Sequence, residues 1–388
     1  MATGAESQVR DLAPELDNIR AALVYCRRVD AEAGLRLAGA AREVWFAYGQ
    51  GEGRHWLSEF LDIARQPTAF RARALCTAGI LATGQQADEA LTLLAEGHRL
   101  FVELGDESGR AWAAQNMGEA LLVLRLDADT ARRCLEEALA GHEALGNRFG
   151  VERAIGGLGL CAAQRGDYNT ARQRLQQARE MAVALRDVFG EAFALTFLGW
   201  VAMSQGDSSA VEHLRGAVRV LSDGREPMLL ATAVEGYAGL MMAKEPGNAL
   251  RLAAAGTAIR DRIGNLPARP AVELVSSIRS RSAKALGVDT SEREWHRGLG
   301  MSVEETAAAI LTGTTATGIA GAPQGLTRRE LEISRLVAQG LTSREIATRL
   351  FLSERTVENH VEHVLNKLDL RNRAQIAAWV VTELSTSD

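Results

Sequence analysis

Residues 326–381 read LTRRELEISRLVAQGLTSREIATRLFLSERTVENHVEHVLNKLDLRNRAQIAAWVV, and three helix starts follow one another in them. Thr327 stands where it can cap a first helix, and Glu330 follows three residues later to close a capping box. Leu326 and Leu331 occupy the two positions of a hydrophobic staple. Gly340 ends that helix; Thr342 and Glu345 then repeat the box, and Leu341 and Ile346 the staple. Ser353 caps a third helix with Leu352 and Val357 as its staple, although Thr356 stands where a Glu would complete the box.

Between Thr342 and Leu368 the order is therefore a short helix, a very short turn around Leu350 to Leu352, and a longer helix. This is the spacing that lays the second helix of a helix-turn-helix in the major groove of DNA. Ala347 offers a small side chain where the two helices must cross closely. Val357, Val361, Leu365 and Leu368 recur at steps of four and three, so that face is expected to pack on the module's own core. The opposite face carries Glu358, Asn359, Glu362, His363 and Asn366, all able to form hydrogen bonds.

The LTxRE opening, the QGLTSREIA middle and the LSxRTVxxHVxxxLxKL segment together resemble the C-terminal helix-turn-helix of the LuxR-type transcription regulators. The resemblance implies a four-helix module, residues 326–388, that binds double-stranded DNA and dimerises through its last helix, from Asn372 to about Leu384. It carries phosphate contacts over to Thr327, Arg344, Ser353, Arg355, Thr356, His360 and Lys367, by position in the motif. In the last helix Ile376, Trp379 and Val380 are expected to face the module core, leaving Ala377, Val381 and Leu384 as the strip for a twin helix in a homodimer.

The chain departs from the family pattern at one place. Many members carry a Lys directly after the TV of this helix and often a second base four residues on, where this chain has Glu358 and Glu362. Glu can accept a hydrogen bond from cytosine N4 and Asn359 can pair with adenine, so the pair reads as base-contacting; the other reading is a pair of solvated acids on a helix that touches only backbone. From Leu326 onward nine Lys or Arg balance nine Asp or Glu, so the module lacks the usual basic footprint. Affinity then rests on where the arginines and the capped helix N-termini point.

Upstream the sequence repeats. Gly39, Gly79, Gly118, Gly159, Gly199 and Gly239 lie 40, 39, 41, 40 and 40 residues apart, each in an Ala/Leu-rich helical stretch. Asp127, Asp167 and Asp207 keep the same period ahead of a second helical segment. Each unit is a helix containing the Gly, a turn at the Asp and a second helix; six units run from about Ala31 to Arg262. A glycine costs helix stability, so its recurrence at one phase predicts close approach of neighbouring helices. Such pairs cannot bury their apolar faces alone and must stack into an α-solenoid. The array is TPR-like. Its period exceeds the ~34 residues of the standard motif, and it resembles the longer-period arrays that precede LuxR-type modules in large ATP-dependent regulators. ELDNIRAAL, from Glu15, and EWHRGLGMSVEETAAAIL, from Glu294, resemble its two edges.

The expected organisation is all-α: an array over residues 1–311, a tether over 312–325 and the module over 326–388. The tether is small, uncharged and rich in Gly and Thr, with a reach of roughly 20 Å. A phosphate loop needs a Lys followed by Ser or Thr, and none of the three lysines, Lys244, Lys284 and Lys367, is so followed. The chain is expected to be either a naturally short regulator or the C-terminal part of a longer one. No HExxH or GxSxG occurs, and no catalytic residue, metal or cofactor is implied. His360 and His363 read as packing or backbone-contacting groups rather than metal ligands, and Trp45, Trp56, Trp112 and Trp200 as helix packing. Cys26, Cys76, Cys134 and Cys161 have no CxxC spacing and are expected as reduced thiols in a cytoplasmic protein.

The function these readings imply is transcription regulation, with the array taking a small-molecule or protein effector and controlling the DNA-binding module. The alternative is an interaction scaffold that does not bind DNA and sequesters another regulator.

Overall fold

The computed structural model describes residues 15–83, 86–222, 226–263, 269–312, 328–350, 354–368, 370 and 372–384, and all regular elements among them are helices. The chain divides into two compact units, Met1–Gly313 and Thr314–Asp388. The tether expected at 312–325 lies, apart from Thr312, outside the described residues. None of the described helices is long and apolar enough to cross a membrane.

The first unit runs through α1 (Leu16–Val29), α2 (Ala31–Ala40), α3 (Arg42–Tyr48), α4 (Gln50–Ile63), α5 (Ala69–Ala82), α6 (Ala87–Glu103), α7 (Glu107–Leu124), α8 (Ala128–Ala144) and α9 (Arg148–Gln164). It continues through α10 (Tyr168–Leu185), α11 (Val188–Ser204), α12 (Ala210–Val220), α13 (Pro227–Met241), α14 (Pro246–Ile263), α15 (Arg269–Leu286), α16 (Val288–Leu299) and α17 (Val303–Thr312). Consecutive helices from α5 to α14 pack as stacked hairpins, and the first helix of each pair also meets the first helix of the next. This is the expected solenoid.

Four of the six periodic glycines sit where the two helices of a pair approach closely, whereas Gly39 meets Ala74 of α5 and Gly239 meets Leu274 of α15. A Cβ on Gly79, Gly118, Gly159 or Gly199 would lie 2.5–2.9 Å from Cγ of Leu94, Leu135, Leu175 or Leu214 respectively. All four leucines are fully buried. Leu135 also reaches Gly157 of the following pair, and Leu214 reaches Gly236, so one leucine joins its own hairpin to the next. Helix caps set the ends. Asp106, Asp127, Asn147, Asp167 and Asp187 each accept a hydrogen bond from a backbone N–H in the first turn, at steps of 21, 20, 20 and 20 residues. Asp207 bonds Ser209 N at 2.9 Å, and α12 begins one residue later.

The first repeat departs from expectation, because its second helix is broken at Gly49 into α3 and α4. Gly49, Gly51 and Gly53 fall within five residues and lower helix propensity. The bend lays Gly53 on the Trp45 ring, where a Cβ would come within 2.4 Å. Trp45 is fully buried and donates from Nε1 to the Ala38 carbonyl at 2.9 Å. Trp56 is buried as well, while Trp112 and Trp200 are half-buried. At the far edge, Ser302 and Glu305 form a reciprocal capping box, with bonds of 2.9 and 3.1 Å. Arg215 of α12 donates to the Ile310 carbonyl at 3.1 Å and so fastens α17 to the array. The four cysteines are free thiols, and burial pushes Cys76 up to about 12.

Polar groups enter the core where a repeat residue changes size. Phe101 and His142 lie over Gly109 and Gly150; at the equivalent place in the next pair stands the smaller Ala182, and the carboxyl of Glu152 fills the space against Gly190. Glu152 is 1% exposed and its Oε2 has no hydrogen-bond partner. Burial, reinforced by Asp187, pushes its carboxyl up to about 8. Glu235 and Arg260 are buried too, but as a two-bond ion pair at 3.0 and 2.8 Å.

Two predictions follow from this packing. Gly199→Ala drives a methyl into Leu214 and is expected to destabilise the array by ~1–3 kcal/mol. Gly216→Ala meets nothing nearer than 3.4 Å and is expected to raise stability, by ~0.5–1 kcal/mol for removing a mid-helix glycine. Melting temperatures that move in the same direction for both would contradict the close-approach account. For Glu152, a folded-state value above the unfolded one means that its stability contribution is intact below about pH 4.5 and is lost as pH rises towards about 8. Glu152→Gln should therefore melt at the parent temperature near pH 4 and above it at pH 8, by the equivalent of up to ~5 kcal/mol. A constant offset across that range would count against a buried neutral carboxyl.

Candidate nucleic-acid interface

Four helices make up the described part of the second unit: α18 (Arg328–Ala338), α19 (Ser343–Leu350), α20 (Glu354–Lys367) and α21 (Arg373–Leu384). Gly340, at φ +82°, lets the chain leave α18 in the left-handed conformation. Its N–H bonds the Val337 carbonyl at 3.0 Å, and Leu341 N–H bonds the Leu336 carbonyl at 3.3 Å. The expected box then opens α19. Thr342 N–H and Oγ1–H both donate to Glu345 Oε2 at 2.8 Å, and Glu345 N–H donates to Thr342 Oγ1 at 3.2 Å. These bonds hold the Glu345 carboxyl below its usual value. Thr327 of the first box and Ser353 of the third lie outside the described residues.

The core of the unit is small and apolar. Ile333, Leu336, Val337, Ile346, Ala347, Val357, Val364, Ile376 and Val380 are buried in it, with Val361, Leu365, Leu368 and Trp379 packed around them. The stripe of α20 thus faces inward, and Ala347 sits at the crossing. Val364, at seven residues from Val357, belongs to the same face. Asn372 caps α21 by accepting from Gln375 N at 3.1 Å, which starts that helix where the sequence places it.

Two polar links across the fold have no local sequence signal. Lys367, at the end of α20, donates to Glu330 Oε2 of α18 at 2.7 Å, and that carboxylate side chain is only 4% exposed. Arg373, at the start of α21, donates to Ser343 Oγ at 3.1 Å and to the Leu341 carbonyl. Burial lowers the Arg373 guanidinium from its ordinary value. The link ties the last helix to the turn ahead of α19.

Among the residues expected at DNA, Glu358 and Glu362 are exposed one turn apart on α20, as the periodicity requires. Arg344 is exposed in the first turn of α19, and His360 is half-buried. Lys367 is exposed in part but engaged by Glu330. Arg355, Thr356, Asn359, His363 and Asn366 lie on α20, with side chains outside the described set. On α21, Ala377 is half-buried, and the side chains of Val381 and Leu384 are likewise outside it.

A short capped helix crossed by a longer one over a shared apolar core is the arrangement of a helix-turn-helix. Residues 324–380 match the family of bacterial regulatory proteins, LuxR family. The second unit is a LuxR-family helix-turn-helix domain. A protein of Mycobacterium bovis named as an HTH-type transcriptional regulator is 37% identical over 94 residues, covering 24% of this chain and 11% of that one. The nitrate/nitrite response regulator protein NarL of Escherichia coli is 48% identical over 58 residues, covering 15% and 27%. The transcriptional regulatory protein LiaR of Bacillus subtilis is 33% identical over 100 residues, covering 26% and 47%. The matches span less than half of each relative's length, so the likeness belongs to the LuxR-family domain and its immediate surroundings.

Proposed function

We propose that the chain regulates transcription by binding double-stranded DNA through its LuxR-family domain, as a homodimer joined along α21. In this reading the helical array takes an effector, a small molecule or a protein, that controls the domain. The observation that carries the proposal is the match over residues 324–380, on a unit whose α19 and α20 have the helix-turn-helix order and whose apolar stripe is turned inward. That leaves Glu358 and Glu362 exposed on α20, available to base edges. Named relatives that regulate transcription support the same reading. No catalytic step is part of it.

The exposed acids and the balance of nine bases with nine acids favour a second reading, a scaffold that sequesters another regulator without touching DNA. A salt titration of the full chain on random-sequence duplex separates the two. Replacing both Glu358 and Glu362 with Lys removes two repulsive charges and adds two attractive ones. Non-specific affinity should rise, and the dependence of log affinity on log salt should steepen by about 0.9 per new phosphate contact. A double variant that binds like the parent at every salt concentration would make the scaffold the better account.

Dimerisation has its own test. Val381→Asp places a charge in the proposed strip of Ala377, Val381 and Leu384. The circular dichroism should stay that of the parent, while sedimentation on a duplex with room for two copies should fall from two chains to one. Unchanged stoichiometry would place the dimer contact elsewhere.

A further inference from the structure

The motif position of Lys367 marks it as a phosphate contact, yet its ammonium is hydrogen-bonded at 2.7 Å to the carboxylate of Glu330, 37 residues earlier in the chain. Glu330 lies in the first turn of α18, and its own carbonyl accepts from Ser334 Oγ at 2.7 Å, with Ser334 fully buried. A carboxylate so enclosed keeps its charge only beside a cation and further donors, and removing that cation is costly. Moving the ammonium outward to a phosphate would take the cation from the buried group. The pair is also formally neutral, so it adds little to the counterions that DNA binding releases.

We infer that Lys367 is a positioning residue: its ion pair with buried Glu330 clasps the last turn of α20 to the first turn of α18 and fixes the attitude of the helix that carries Glu358 and Glu362. The inference rests on the DNA-binding reading and changes one of its contacts. Arg344, exposed at the start of α19, keeps the phosphate role.

The test uses the full chain, a random-sequence duplex as probe, and four variants: Lys367→Gln, Glu330→Gln, the two combined, and Arg344→Gln. The combined variant leaves net charge unchanged. Its salt slope is expected to equal the parent's, whereas Arg344→Gln should lose about 0.9 of slope. In melting experiments Lys367→Gln alone should lower the transition more than the combined variant does, because it removes the ammonium beside a buried carboxylate and keeps the carboxylate's charge. Lys367→Arg, which preserves charge and reach, should restore the parent's melting temperature. A loss of about 0.9 of slope in the combined variant would make Lys367 a phosphate contact and overturn the inference. Melting effects of the two single variants that simply add would overturn it too. A parent chain that fails to bind the duplex overturns the DNA reading, whereas the melting cycle, which needs no DNA, decides the clasp by itself, so the two failures are told apart.

Discussion

The middle of the array depends on one steric relation, a leucine of the second helix seated against a glycine of the first in four successive pairs. With Cβ absent at Gly118 the backbone of α7 comes close enough for Leu135 to lie in the gap, and the same leucine then reaches Gly157 on the next hairpin. Closeness is what makes the contact worth its cost, since dispersion falls steeply with separation and a mid-helix glycine forfeits up to ~1 kcal/mol of helix propensity. Because Leu135 and Leu214 each serve two hairpins, those pairs are not complete without their neighbours. Stability therefore grows by stacking, as in any one-dimensional array.

Within that frame one packing position changes size from hairpin to hairpin, and polar groups enter the interior there. Phe101, His142 and Ala182 occupy one place in three successive hairpins, and the loss of volume at Ala182 admits the Glu152 carboxyl. His142 meets its burial with two hydrogen bonds, to Gln115 at 3.0 Å and Asn147 at 3.2 Å, and is held below its ordinary value. Arg260 and Glu235 satisfy each other, with Thr232 taking a further bond at 2.8 Å. Glu152 instead stays neutral over much of the pH range. Three solutions to the same desolvation problem thus coexist in one repeat family.

The LuxR-family domain has a far smaller core, and specific polar links join its helices as well. Glu330 with Lys367, and Arg373 with Ser343 and the Leu341 carbonyl, join the two ends of the motif to the helices that flank it. A domain whose charges balance overall places its electrostatic value in a few oriented groups. In the proposed DNA-binding role, the exposed Arg344 of α19 and the exposed acids of α20 are such groups.

The sequence by itself determined the elements and their phase. Helix boundaries follow from local bonds, so the box at Thr342–Glu345 and the period of Gly and Asp could be read from spacing alone. The inward stripe of Val357, Val361, Leu365 and Leu368 follows from the 3.6-residue turn in the same way. Tertiary structure decided what spacing cannot encode. Lys367 lies 37 residues from Glu330, and Arg373 lies 30 from Ser343, so neither partnership leaves a local pattern. The break at Gly49 reflects the Trp45 ring beneath Gly53, and the burial of Glu152 reflects a missing side chain at Ala182 one helix away. Each of these depends on volume and charge brought together across the chain, and such encounters exist only once the helices have packed.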